Sequence, residues 1–112
     1  MAIAQNIIIN SDADYLKQFT AKDDTGTVID LTGYTVAAQL RKTYASSAST
    51  TFAPVKVSDV LGTFTLALTD VQTATGTLER GRHVYDVVVT TAGGDKTRVQ
   101  EGIAVVSPGV TR

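Results

Sequence analysis

The sequence predicts an all-β domain with the strand spacing of a sandwich or a barrel, on three observations. Threonine is abundant, at eighteen of 112 residues, and Val and Ile are common, as pleated strands favour. No window holds a 3.6-residue apolar period over three turns. Short apolar runs alternate with turn signals at the intervals of all-β folds.

In chain order, strands are expected at residues 5–9, 15–21, 27–30, 34–43, 51–58, 63–69, 83–90 and 97–106. The alternation is clearest in Tyr34, Val36, Ala38 and Leu40, with Thr35, Gln39 and Arg41 on the other face. Phe64, Leu66 and Leu68 alternate with Thr63, Thr65, Ala67 and Thr69. His83, Tyr85, Val87 and Val89 alternate with Val84, Asp86 and Val88. In the last strand Val99, Glu101, Ile103 and Val105 alternate with Arg98, Gln100, Gly102 and Ala104. One face of each strand therefore points to a core and the other to solvent or a neighbour.

Turn chemistry separates these runs. Asp23-Asp24-Thr25-Gly26 is a tight-turn signal, and Leu31-Thr32-Gly33 breaks the chain before the long strand at Tyr34. Ala92-Gly93-Gly94-Asp95 is a hairpin turn, where Gly-Gly supplies the positive φ such loops need. Residues 70–77 read as one helical turn, with Asp70 as N-cap and Gly76 as its stop. Residues 45–50 are small and polar and read as a mobile loop or an extended arm.

Length and composition bound the function. A chain of 112 residues is one domain with room for a real core. At 43% hydrophobic and 19% charged it reads as globular. Net charge is −1, so the basic excess of a nucleic-acid binder is missing. The longest aliphatic run, Ile7-Ile8-Ile9, is too short for a signal peptide or a membrane span. The absence of Cys excludes disulfides, thiolate zinc sites and thiol nucleophiles. A single histidine, His83, excludes imidazole-rich metal sites.

Candidate sites read as ordinary structure. Asp12, Asp14, Asp23 and Asp24 lack the spacing of a calcium loop and are assigned to turns and caps. His83 and Asp86 fall on opposite strand faces, and Glu101 is on a different strand, so no acid–base pair is expected. Ser46, Ser47 and Ser49 lack a nucleophile elbow. Arg41 with Lys42, Arg80 with Arg82, and Lys96 with Arg98 are scattered basic pairs, read as solvated strand ends. No enzyme, cofactor or metal is expected. Tyr44, at a strand end beside the serine loop, is the expected exposed anchor for a partner.

Three segments together resemble a known family. They are Asp30-Leu31-Thr32-Gly33-Tyr34-Thr35-Val36 running on to Gln39-Leu40-Arg41-Lys42, then Gly81-Arg82-His83-Val84-Tyr85-Asp86-Val87, then Arg98 to Arg112 with Glu101-Gly102 and Pro108-Gly109-Val110-Thr111-Arg112. The set resembles small virion structural proteins of tailed bacteriophages, including cyanophages. It is more distantly similar to the immunoglobulin-like N-terminal domain of phage upper-baseplate proteins. The family pattern carries Tyr where this chain has His83.

The resemblance implies a single immunoglobulin-like antiparallel β-sandwich of about seven to eight strands, spanning 1–112. It implies a non-enzymatic virion structural protein assembled in the host cytoplasm, with other phage structural proteins as partners. A capsid decoration or cement protein on the major capsid shell, homo-oligomeric in the particle, is the first expectation. A tail, baseplate or fibre-attachment adaptor is the alternative, and a carbohydrate- or cell-surface-binding module the second. Terminal arms are expected at 1–9 and 108–112, with Ile7, Ile9, Val110 and Arg112 joining Tyr44 as partner-binding residues.

Overall fold

A computed structural model describes residues 3–23, 25–74 and 77–108. The described residues form nine strand segments: β1 Ile3–Ala4, β2 Ile7–Asn10, β3 Tyr15–Thr20, β4 Thr35–Arg41, β5 Thr50–Thr51, β6 Ala53–Ser58, β7 Thr63–Leu68, β8 Gly81–Thr90 and β9 Lys96–Ser107. The larger sheet runs β1-β9-β8-β4-β5, with β2 also on β9, and the smaller runs β3-β7-β6. This is a β-sandwich with immunoglobulin-like strand order. All pairings are antiparallel except those of β1 and β2, which lie parallel to β9. The expected antiparallel sandwich is found, with this parallel pairing added at one edge. A strand's alternation is the same whichever way its neighbour runs, so sequence carries no signal for that direction.

The core follows the alternation where strands are regular. Ala38 and Leu40 of β4, Phe64, Leu66 and Leu68 of β7, and His83, Tyr85, Val87 and Val89 of β8 all face inward and are buried. Tyr34 and Val36 pack partly buried against them. The last strand departs from its expected alternation. A bulge opposite Val87 and Val88 leaves Val99 without a ladder partner, and Val99 and Gln100 are both buried. Beyond the bulge the core face is Gln100, Ala104 and Val106, while Val105 is exposed. One inserted residue moves every later side chain to the opposite face.

Two other strands differ from expectation. Residues 51–58 form no single strand, because the chain changes sheet at Phe52. Its N–H donates to the Ala38 carbonyl at 3.0 Å, and its ring is buried 6.1 Å from that of Tyr15 and 6.4 Å from that of Tyr85. Residues 27–30 form only one bridge, Lys22 to Val28. There the Asp23 carboxylate takes the N–H groups of Thr25 and Thr27, each at 3.0 Å, and a ladder loses its donors to a side chain. The 70–77 turn is capped one residue earlier than expected. Thr69 and Gln72 bond reciprocally, each side chain accepting the other's backbone N–H, which is a capping box. Gly76 lies outside the described residues.

The N-terminal segment is stitched to β9. Gln5 N–H donates to Glu101 O at 2.9 Å, and Asn6 Oδ1 accepts from Ile103 N–H at 3.1 Å. Tyr85 Oη donates to Gln5 O at 2.5 Å and accepts from Gln100 Nε2 at 2.9 Å. Gly102 makes this approach possible, since a Cβ there would overlap the Gln5 carbonyl. Ile7 and Ile9 are buried in the chain's own core. Of the two seats open to the expected arm at 1–9, its own sandwich or a neighbour's, Ile7 and Ile9 take their own rather than serving as partner-binding residues: burying two isoleucines at home outweighs leaving them in water for a partner. In the expected arm at 108–112, Val110 and Arg112 lie outside the described residues.

Several sheet edges are blunted, whereas β2, Ile7–Asn10, lies at the edge beside β9 with no proline, lysine or bulge. β5 and β1 are two residues each. Edge strand β6 carries Pro54, which has no N–H for a ladder, and a bulge between Lys56 and Ser58. Edge strand β3 places Lys17 opposite the buried Leu66, and its ammonium lies 5.7 Å from the Phe19 ring centroid. Short strands, proline, bulges and inward-pointing lysines are the devices that stop edge-to-edge pairing.

Candidate functional site

The two outer faces of the sandwich differ in chemistry. On the smaller sheet the register stacks Leu16, Ala67 and Ala53 in one row, Gln18, Thr65 and Val55 in the next, and Thr20 beside Thr63. None of these paired residues is charged, and Lys22, next on the same parity after Thr20, bridges Val28. Leu16 is 71% exposed, and Val55 and Val57 are also exposed. At the end of the sheet the β6–β7 turn adds exposed Val60 and Leu61, with Val28 against Gly62. Isolated surface apolar residues are ordinary, but six exposed large ones on and beside one sheet face make it the candidate interaction surface.

Sequence reasoning missed these residues. The signal was present: Tyr15, Phe19 and Phe64 set the inner parity, which leaves Leu16 outward. It becomes a face only once β3, β7 and β6 are known to be neighbours.

The outer face of the larger sheet is polar. Arg98 of β9 reaches Asp86 of β8 at 3.3 Å and Glu101 at 3.8 Å. Arg41 of β4 donates through Nη1 to the carbonyls of Ser46, at 2.7 Å, and Ser47, at 3.3 Å, and through Nη2 to Gln39 Oε1 at 3.2 Å. These bonds fold the 45–50 loop back onto β4, so it is not an extended arm. Between them lies a half-open cleft of about 320 Å³, lined by Gln39, Arg41, Tyr44, Asp86, Arg98 and Glu101. Tyr44, in the turn after β4, is 81% exposed.

His83 lies on the inner side of β8, 4% exposed. Burial holds its pKa below the ordinary 6.5, assisted by the Lys42 cation and opposed by the Gly81 carbonyl and Glu79. Asp86 is on the opposite face of the strand, paired with Arg98. The basic pairs do not gather into one patch: Lys42 pairs with Glu79 at 3.9 Å, and Arg98 with two carboxylates. Among the described residues no three His, Cys, Asp or Glu side chains converge on a metal position. No protein-family model matches the chain, and no curated protein matches it.

Proposed function

We propose that this chain is a non-enzymatic structural protein of tailed-phage virions, bound as a decoration or cement protein to the major capsid shell. It docks through the outer face of the β3-β7-β6 sheet. The observation that carries this reading is the outer face of the smaller sheet, whose paired residues are uncharged and which exposes Leu16, Val55 and Val57. The edge strands of that sheet, β3 with Lys17 and β6 with Pro54, are poor templates for strand addition, which leaves the face as its available surface, and face-to-face burial needs only complementary shape repeated by symmetry. The sequence resemblance supplies the partner, a coat-protein shell, and the shell supplies the many copies.

Quantitative mass spectrometry of separated heads and tails tests the assignment. The chain is expected in heads, at a copy number comparable to the major capsid protein. A few copies in the tail fraction would make it an adaptor, and absence from both would end the virion reading. The docking face is tested by Leu16→Lys with Val55→Lys. Both positions are exposed, so the unfolding midpoint stays near wild type while head incorporation is lost. Unchanged incorporation would exclude this face.

A further inference from the structure

The cleft on the opposite sheet has no role in that docking, and the geometry points to a binding site for a neutral saccharide. Its volume, about 320 Å³, is at the small end for ligand sites and suits one or two sugar rings. Its charges cancel. Arg41 and Arg98 stand against Asp86 and Glu101, and Arg98 is held between the two carboxylates. An anionic ligand meets both carboxylates, and a cation meets both guanidinium groups. A peptide that binds by strand addition needs free ladder groups, but this cleft lies on a sheet face whose Gln39–Asp86 and Asp86–Glu101 pairs are already matched.

What the cleft offers is a set of planar polar groups around an exposed aromatic. The carboxylates of Asp86 and Glu101 accept from hydroxyls, the guanidinium groups donate to them, and Gln39 does both. These planar groups suit pairs of neighbouring hydroxyls. Tyr44 presents an exposed ring, whose electron-rich face complements the C–H face of a sugar. Arg41 fixes that side of the cleft by tying the following loop down through Ser46 and Ser47. The ion pairs fix Arg98 before any ligand arrives, and such preorganisation lowers the entropy cost of binding.

The test is NMR titration of the purified chain with neutral di- and trisaccharides built from glucose, galactose, mannose and N-acetylhexosamine, at millimolar concentration. At least one is expected to shift the amides of Gln39, Tyr44, Asp86 and Glu101 while leaving β3 and β6 unmoved. Tyr44→Ala should weaken that binding by about tenfold or more, with an unchanged unfolding midpoint, and Tyr44→Phe should retain it. Four results would overturn the assignment: no shift with any member of the panel, shifts elsewhere, equal binding by Tyr44→Ala, or binding confined to carboxylated or sulfated sugars. The Leu16→Lys with Val55→Lys chain, altered on the opposite sheet, keeps the saccharide shifts, so failure of the saccharide site and failure of the docking face are read separately.

Discussion

Replacing Gly102 with Ala should unfasten the N-terminal strand from β9. A methyl group there would overlap the Gln5 carbonyl oxygen and come within 2.8 Å of its carbon. Both are backbone atoms, so no side-chain rotation relieves the clash. The segment around Gln5 must lift away. Three hydrogen bonds depend on its position: Gln5 N–H to Glu101, Tyr85 Oη to Gln5, and Ile103 N–H to Asn6. At about 1 kcal/mol each, their loss costs roughly 3 kcal/mol. If β2 also left, exposure of Ile7 and Ile9 would add roughly 2 kcal/mol per side chain. Urea unfolding should therefore show a destabilisation of about 3 kcal/mol. Hydrogen exchange should accelerate in β2 ahead of the β3-β7-β6 sheet. The control is Gly93→Ala, where the nearest heavy atom to a new Cβ is 3.8 Å away and φ is not positive. A Gly102→Ala variant within about 0.5 kcal/mol of wild type, or uniform acceleration of exchange, would refute the account.

Leu66→Ala and Val87→Ala each remove a fully buried aliphatic side chain and should each cost about 2–4 kcal/mol in urea unfolding. Outward-facing Thr65→Ala should change little, and a Leu66→Ala variant melting like wild type would reverse the facing of β7. The buried Tyr15 hydroxyl has no hydrogen-bond partner among the described residues, and burial pushes its pKa up to about 12. Tyr15→Phe should thus be neutral or stabilising by up to about 1 kcal/mol, and a clear loss of stability would reveal a partner for that oxygen. His83 has a folded-state pKa below the 6.5 of the free side chain, so the folded state holds fewer protons between those values. Its contribution is complete above that pH and declines as pH falls toward the folded-state value. The stability gap between wild type and His83→Leu should shift in that sense on acidification, and a gap independent of pH would show His83 to be unperturbed.

Strands β4, β7 and β8 were legible because their side chains alternate without interruption and one parity is apolar throughout. β9 was not, because the bulge at Val99 splits a run whose residues alternate smoothly on paper. The pattern placed Ile103 and Val105 with Val99, whereas the folded strand buries Gln100, whose amide donates to Tyr85. The crossing at Phe52 was hidden for a related reason: Thr and Val on both sides suit a strand, and nothing local says they belong to different sheets. The isoleucines at 7 and 9 were read as available to a partner because their ladder neighbour lies nearly a hundred residues away. The apolar face of the smaller sheet was invisible for the same reason. Leu16 and Val55 share a surface only through the intervening β7, and single-strand periodicity cannot report a neighbour. Tyr44 was singled out from its position at a strand end, where a bulky side chain has no opposite face to enter.

The parallel pairing of β2 with β9 has a consequence for how the chain is made. Its Ile7–Ala104 and Ile9–Val106 contacts join residues nearly a hundred apart, so β2 has no seat until β9 has left the ribosome. Until then Ile7, Ile8 and Ile9 are an unpaired β-prone stretch on a growing chain, open to chaperones or to copies of itself. Contacts of this separation also slow the search for the native state, because the longest loop must close before they contribute. Completion of the sandwich thus waits for the synthesis of β9.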